Sequence, residues 1–398
     1  MTVSLSVHTA HTTERAVASA EMDFLIRIAR RIAGGEDGEA WVASGTGLDW
    51  SRLLDLAGGH AMLPLLGRWI ERSGTPVPAE AAAELAERTA GARQRSLLLI
   101  AELLRVLRVL DLAGVRAVPY KGPLLAAEVY GDPTLRPSVD LDVLVREDEV
   151  DAALGALAVA GFRPAAALSP QQRRLLRVGG HAEGVVSSSG LAVEVHWRIA
   201  QRAFIPRLRH EQLWTRLRSA RLAGHPVPGL AVEDQFIALS VHGAKHLWLR
   251  LEWVTTLSVM LRREHVDWDL VVARAAEWGL LRIVLLSASL ANTLLGTPLP
   301  PALREPLRTD SVLGRRASRV ADDLRSGVPH TLGRSLRFQL ANRDSIRDTL
   351  RLLAATLAHL SPEDVAAVDL PPSLTPMYHL LRPLRLLTRA AGFPAGRP

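Results

Sequence analysis

Residues 120–145 read YKGPLLAAEVYGDPTLRPSVDLDVLV, and this stretch decides the architecture. It is entered through VRAVPYK, a short run of strand formers that ends in a Lys-Gly-Pro turn, and LLAAEVY then has the composition of a short helix. After the loop GDPTLRPS, VDLDVLV alternates carboxylates with aliphatic and β-branched residues, the period-two pattern of a strand with one polar face. Asp140 and Asp142 therefore point to the same side of that strand, close enough to share divalent cations. Two like charges held side by side are costly unless a metal neutralises them.

Working outward, DEVDAALGALAVAGF predicts an amphipathic helix, and GHAEGVVSS and LAVEVHWRI predict two strands joined by SSG. In VEVHW the apolar Val193, Val195 and Trp197 alternate with Glu194 and His196, so Glu194 can bring a third carboxylate to the same site from a neighbouring strand. Three convergent carboxylates are a two-metal site in outline. On both sides the periodicity is helical: FLIRIARRIAGG and RSLLLIAELLRVLRVLDLAG before, EDQFIALSVHGAKHLWLRLEWVTTLSVMLRR and LRIVLLSASLANTLLG after. The expected fold is α+β and mostly helical, with a helical region over 1–112, a small mixed-sheet catalytic domain over 113–230 and a helical domain over 231–398.

A chain of 398 residues with 48% hydrophobic and 22% charged residues is an ordinary globular composition, not a disordered or fibrous one. The absence of cysteine excludes disulfide scaffolds, thiolate metal sites and cysteine nucleophiles. MTVSLSVHTAHTTERAVASAEMDF lacks a basic segment followed by an apolar one, so no signal peptide is expected and the expected location is cytoplasmic. The longest uncharged run, Ile283 to Leu303, carries Asn292, Thr293, Thr297 and three prolines, and reads as a buried helix with its following loop. A net charge of +7 invites anionic partners, but the basic residues are scattered without interleaved aromatics, which argues against a dedicated nucleic-acid footprint.

Within that basic count, 46 residues are arginine and 2 are lysine, Lys121 and Lys245. Lysine is a compact point charge that the planar guanidinium does not replace at a close phosphate contact. Lys121 and Gly122 end one element and open a helix, where free backbone N–H groups suit phosphate and glycine permits close approach. Lys245 lies between His242 and His246, four apart on one helical face, which reads either as a packed or capping histidine pair or as a substrate-facing group that grips phosphate or an acceptor. The metalloprotease pattern HExxH is broken by Gly243, and no phosphate loop, dinucleotide fingerprint or nucleophile elbow is present.

In these residues the chain resembles the nucleotidyltransferase superfamily, whose signature is a glycine-containing turn, a strand with two metal-binding acids and a third acid on a later strand. More narrowly it resembles the bacterial family of uncharacterised nucleotidyltransferases, through YKGPLLAAEVYGDPTLRPSVDLDVLV, VEVHWRI, VHGAKHLWLRLEWV and HLLRPLRLL, from about Leu53 to Leu387. The resemblance implies transfer of a nucleoside monophosphate from a nucleoside triphosphate, with ATP the expected donor, to an acceptor it does not identify. It implies two Mg2+ ions on Asp140 and Asp142, completed by Glu194, a triphosphate at Gly122, and Lys121 and Arg136 near phosphate. Two departures stand out: Pro123 replaces the usual serine after the glycine, and Thr256 stands where members usually carry aspartate. They motivate the alternative of a catalytically inactive nucleotide sensor or partner-binding module on the same fold.

Overall fold

The computed structural model describes residues 19–36, 47–205, 207–329, 331–361, 364–365, 370–371, 374 and 377–390. The stretch used to judge a signal peptide falls largely outside these residues. Four helices open the chain: α1 Ala20–Gly34, α2 Trp50–Gly59, α3 Leu63–Ser73 and the 34-residue α4 Ala79–Leu112. Ser19 and Asp49 start α1 and α2 as N-caps, each accepting a backbone N–H of the first turn.

The mixed unit follows: β1 Ala117–Pro119, α5 Gly122–Tyr130, β2 Asp140–Val145, α6 Val150–Val159, β3 Arg163–Pro164, α7 Pro170–Gly179, β4 Ala182–Val186 and β5 Ala192–His196. Its five strands lie in the order β1-β2-β5-β4-β3, with β2 and β5 parallel and the other pairs antiparallel. A short helix α8, Glu211–Trp214, leads to a separate ribbon of β6 Arg218–Leu222 and β7 His225–Gly229. The sequence reading finds the hairpin β4–β5 and misses the ribbon, because Pro226 and Pro228 disqualify β7 by composition. In a two-stranded ribbon a proline's missing donor can face away from the ladder, so the residues are tolerated there.

Among the described residues the helices that follow include α9 Val232–Lys245, α10 Leu251–Leu261, α11 Trp268–Trp278, α12 Leu281–Leu295, α13 Pro301–Thr309, α14 Ser311–Arg325, α15 Leu332–Ala341, α16 Ile346–Ala358 and α17 Met377–Ala390. The fold is α+β and mostly helical, with a small mixed sheet. Among the described residues no helix is long and apolar enough to cross a membrane. The uncharged run from Ile283 is the buried helix α12 and the turn after it.

Two apolar cores explain why the sheet is held rigidly. One face of β2 and β5, with Leu141, Val143, Val145, Val193 and Val195, packs under Leu99, Leu103, Val106 and Leu110 of α4 and Leu157 of α6. The larger core joins α1–α3 to α9, α10 and α12, with Phe24, Trp69, Trp248 and Trp278 essentially solvent-free. The opposite face of β2 and β5 is left to Asp140, Asp142, Glu194 and His196, as period-two geometry requires.

Chain reversal after α9 is tight. Leu247 and Trp248 both have positive φ, 55° and 48°, and Trp248 folds back onto Gly243, where a Cβ would stand 2.3 Å from the indole Nε1. A side chain at position 243 would therefore force the Trp248 indole to shift. At the other end of the chain Arg382 and Arg385 fold back onto the Asp364 carboxylate, with Arg385 at 2.7 Å.

Candidate functional site

The parallel register of β2 and β5 sets Asp142 directly beside Glu194 and Leu144 beside His196. Because side chains alternate, Asp142, Glu194 and His196 emerge together, and their donor atoms lie within 4.8 Å of one another. His196 Nε2 is 2.8 Å from Asp142 Oδ1 and 3.0 Å from Glu194 Oε2, yet points squarely at neither oxygen and makes no well-aligned hydrogen bond. The other ring nitrogen, Nδ1, is 3.1 Å from the buried Tyr120 hydroxyl.

Lys121 reaches the same oxygen from the turn before α5, with Nζ donating to Asp142 Oδ1 at 2.6 Å. Gly122 has φ +61°, and a Cβ there would meet Ser138 Oγ at 3.6 Å and the Asp140 carbonyl at 4.0 Å. The left-handed conformation is what lets the chain turn from Lys121 into α5 beside the acid-bearing strand.

The electrostatics follow from crowding. Burial raises the Asp140 carboxyl, and the neighbouring charges of Asp142 and Glu194 raise it further. For Asp142 burial acts in the same direction, but Lys121 and His196 outweigh it and hold the carboxyl far below the usual range. Glu194 is lowered chiefly by its contact with His196. Against the cost of burial, those two carboxylates raise the His196 imidazole above its ordinary value. Asp140 thus belongs to the same field, although its donor atoms stand outside the Asp142, Glu194 and His196 cluster.

A second group borders the acids. Lys245 Nζ lies 3.3 Å from His181 Nε2, and Lys245 is lowered by burial and then by Lys121. The rings of His242 and His246 are 4.9 Å apart, and His242 meets Trp253 edge-on at 4.9 Å. Burial first, then the charges of Lys121, His246 and Arg136, lower His242 well below its ordinary value. The two lysines of the chain therefore sit in one electrostatic environment. His181 is lowered to about 2 by burial and by Lys245. Its imidazole should stay neutral from pH 8 down to the limit of folding. Imidazole nitrogen shifts in an NMR titration check this, and a protonation step near the ordinary histidine value would contradict it.

Arg136 is placed differently from Lys121. It is 6% exposed and its Nε donates to Glu252 Oε1 at 2.9 Å, with Glu252 1% exposed. Glu252 also accepts from the Thr256 hydroxyl, which pairs with Tyr130 at 2.8 Å. Thr256 is a buried member of this cluster, one helical turn from an acid that faces Arg136.

Asp142, Glu194 and Lys121 meet at the site, and Arg136 and the group of His242, Lys245 and His246 border it. Sequence reasoning passed over His196, Tyr120 and His181 as site residues. His196 was accessible to the same period-two argument as Glu194. Tyr120 and His181 reach the site through tertiary packing. The donor set of two carboxylates and one imidazole, with a buried Nε2 lacking a well-aligned partner, fits a divalent cation.

A search among curated proteins finds no match. The family described as "Uncharacterised nucleotidyltransferase" matches residues 46–296, from before α2 to the end of α12, and so ends short of HLLRPLRLL. The match takes in β1, the turn at Gly122, both acid-bearing strands and the helix of His242 and His246, well over half of the sequence, and the chain belongs to this family of nucleotidyltransferases.

Proposed function

We propose that the protein transfers a nucleoside monophosphate from a nucleoside triphosphate to an acceptor, with release of pyrophosphate. The observation that carries this reading is the meeting of Lys121, Asp142 and Glu194 at the mouth of the Gly122 turn, within a chain of this family. ATP is the expected donor and Mg2+ the cation that the resemblance implies, two ions on Asp140, Asp142 and Glu194. Held by these residues, divalent cations would supply electrostatic stabilisation of the charge that develops on the transferring phosphoryl group.

The chain's own residues have distinct tasks. Backbone N–H groups at the start of α5 face the phosphates, less the one that Pro123 removes. Lys121 balances charge on the departing pyrophosphate. Glu194 accepts the proton of the attacking acceptor group. Lys245, His242 and His246 form a cationic to neutral rim for phosphate or for an anionic acceptor. In this reading 113–230 is the catalytic domain, and the helical regions 1–112 and 231–398 supply the walls of the acceptor pocket.

The test needs no acceptor. Thermal unfolding with each of the four ribonucleoside triphosphates should show a shift that requires a divalent cation, since ligand at a hundred times its Kd adds about 2.7 kcal/mol. Stabilisation that is equal with and without cation, and never accompanied by pyrophosphate, would favour an inactive nucleotide sensor. No shift with any nucleotide would remove the reading.

A further inference from the structure

The donor atoms Asp142 Oδ1, Glu194 Oε2 and His196 Nε2 are already spaced for a common ion. Two neighbouring ligands at about 2.1 Å from an octahedral cation are roughly 3 Å apart. His196 Nε2 stands 2.8 Å from the Asp142 oxygen and 3.0 Å from the Glu194 oxygen. The ring is not free to turn away. Tyr120 OH lies 3.1 Å from Nδ1, the Tyr120 ring meets it edge-on at 5.3 Å, and His181 closes another side at 5.5 Å. His196 is 2% exposed, and its Nε2 has no well-aligned hydrogen-bond partner. This is the arrangement of a ligating histidine: one nitrogen held by an outer group, and the other beside two oxygen donors with no well-aligned partner.

We propose that His196 is a metal ligand, so that the site holds its first cation through Asp142, Glu194 and His196 and prefers a first-row transition ion such as Fe2+ or Zn2+ to Mg2+, with Mn2+ as the spectroscopic probe of the donor set. The inference rests on the metal-dependent reading above and changes its donor set. Mg2+ takes oxygen ligands in near-ideal octahedra, whereas an imidazole donor suits transition ions. In the tautomer that donates its Nδ1 proton to the Tyr120 hydroxyl, the Nε2 lone pair is left for the ion. Lys121, bound to Asp142 Oδ1, is the cation that the metal ion replaces there. Asp140, outside the cluster, is left for a second ion brought with the triphosphate.

The experiment titrates the full chain with Mn2+, followed by electron paramagnetic resonance, with Mg2+ as competitor. Wild type should bind Mn2+ about tenfold or more tightly than Mg2+, and the bound Mn2+ should show nitrogen hyperfine modulation from a directly coordinated imidazole. His196→Gln should lose the modulation and weaken Mn2+ binding by about 10- to 100-fold, while Asp140→Asn should keep the modulation. The wild-type spectrum decides even where a variant does not fold. Bound Mn2+ without nitrogen modulation would overturn the inference and leave the carboxylate-only site standing. Modulation that survives in His196→Gln would assign another imidazole and overturn it as well. If neither Mn2+ nor Mg2+ binds, the inference and the metal-dependent function fall together.

Discussion

Asp142→Asn should lower nucleotidyl transfer by about 1,000-fold or more while the protein stays folded. Asp142 is 6% exposed, sits beside Glu194 across the parallel register, and binds Lys121 and His196 through one oxygen. Asparagine keeps the shape and an oxygen that accepts from Lys121, and Glu194 and Asp140 still balance the local positive charge. What it loses is the full negative charge that a cation needs. Pyrophosphate release measures the first half of the prediction and circular dichroism the second. Normal turnover by a folded Asp142→Asn protein would sink the assignment.

The same substitution should change how stability depends on pH. Burial alone would raise the Asp142 carboxyl, but Lys121 and His196 lower it, so its contribution is present above the unfolded carboxylate range and is lost as pH falls. His196 is raised by its carboxylate partners against burial, so its contribution is present below the unfolded imidazole value and is lost as pH rises through its folded value. Removing Asp142 takes away the acid limb and one of the two carboxylates behind the other, so the stability profile should flatten, most of all on its acid side.

The strand-borne part of the site was legible because period-two alternation is a local rule: VDLDVLV and VEVHW each declare which residues share a face. The rule stops at the edge of one strand. It does not say that β2 and β5 pair in parallel with Asp142 level with Glu194, and so it could not separate Asp140, one step along the strand, from the donor cluster. The helical flanks were legible from their apolar spacing, but the packing of α4 on the sheet joins residues such as Leu103 and Val143, which are forty positions apart. Tyr120 and His181 announce nothing locally, since the first reads as a strand end and the second as the start of a strand. The rarity of lysine was a compositional signal of another kind, and it led to both cationic side chains of the site.

Arg136→Met should destabilise the protein by about 3–5 kcal/mol, a larger effect than loss of a phosphate contact would have on the ligand-free chain. The family resemblance implies that Arg136 sits near phosphate; in the fold its Nε is bound to Glu252, and both side chains are shielded from water. Glu252 accepts from Thr256 as well, which in turn touches Tyr130, so α10 is tied to the end of α5 through Thr256 and to the loop after α5 through the charge pair. Truncating the arginine leaves a carboxylate buried without its countercharge, and this desolvation cost exceeds the value of the lost contact. Much of the penalty should therefore be recovered in Arg136→Met with Glu252→Leu, which removes both charges. Urea unfolding of the wild type, the single variant and the double variant measures these differences. An Arg136→Met protein as stable as wild type, but weaker in binding nucleoside triphosphate, would return the arginine to the phosphate site and leave Glu252 to be stabilised by Thr256 alone.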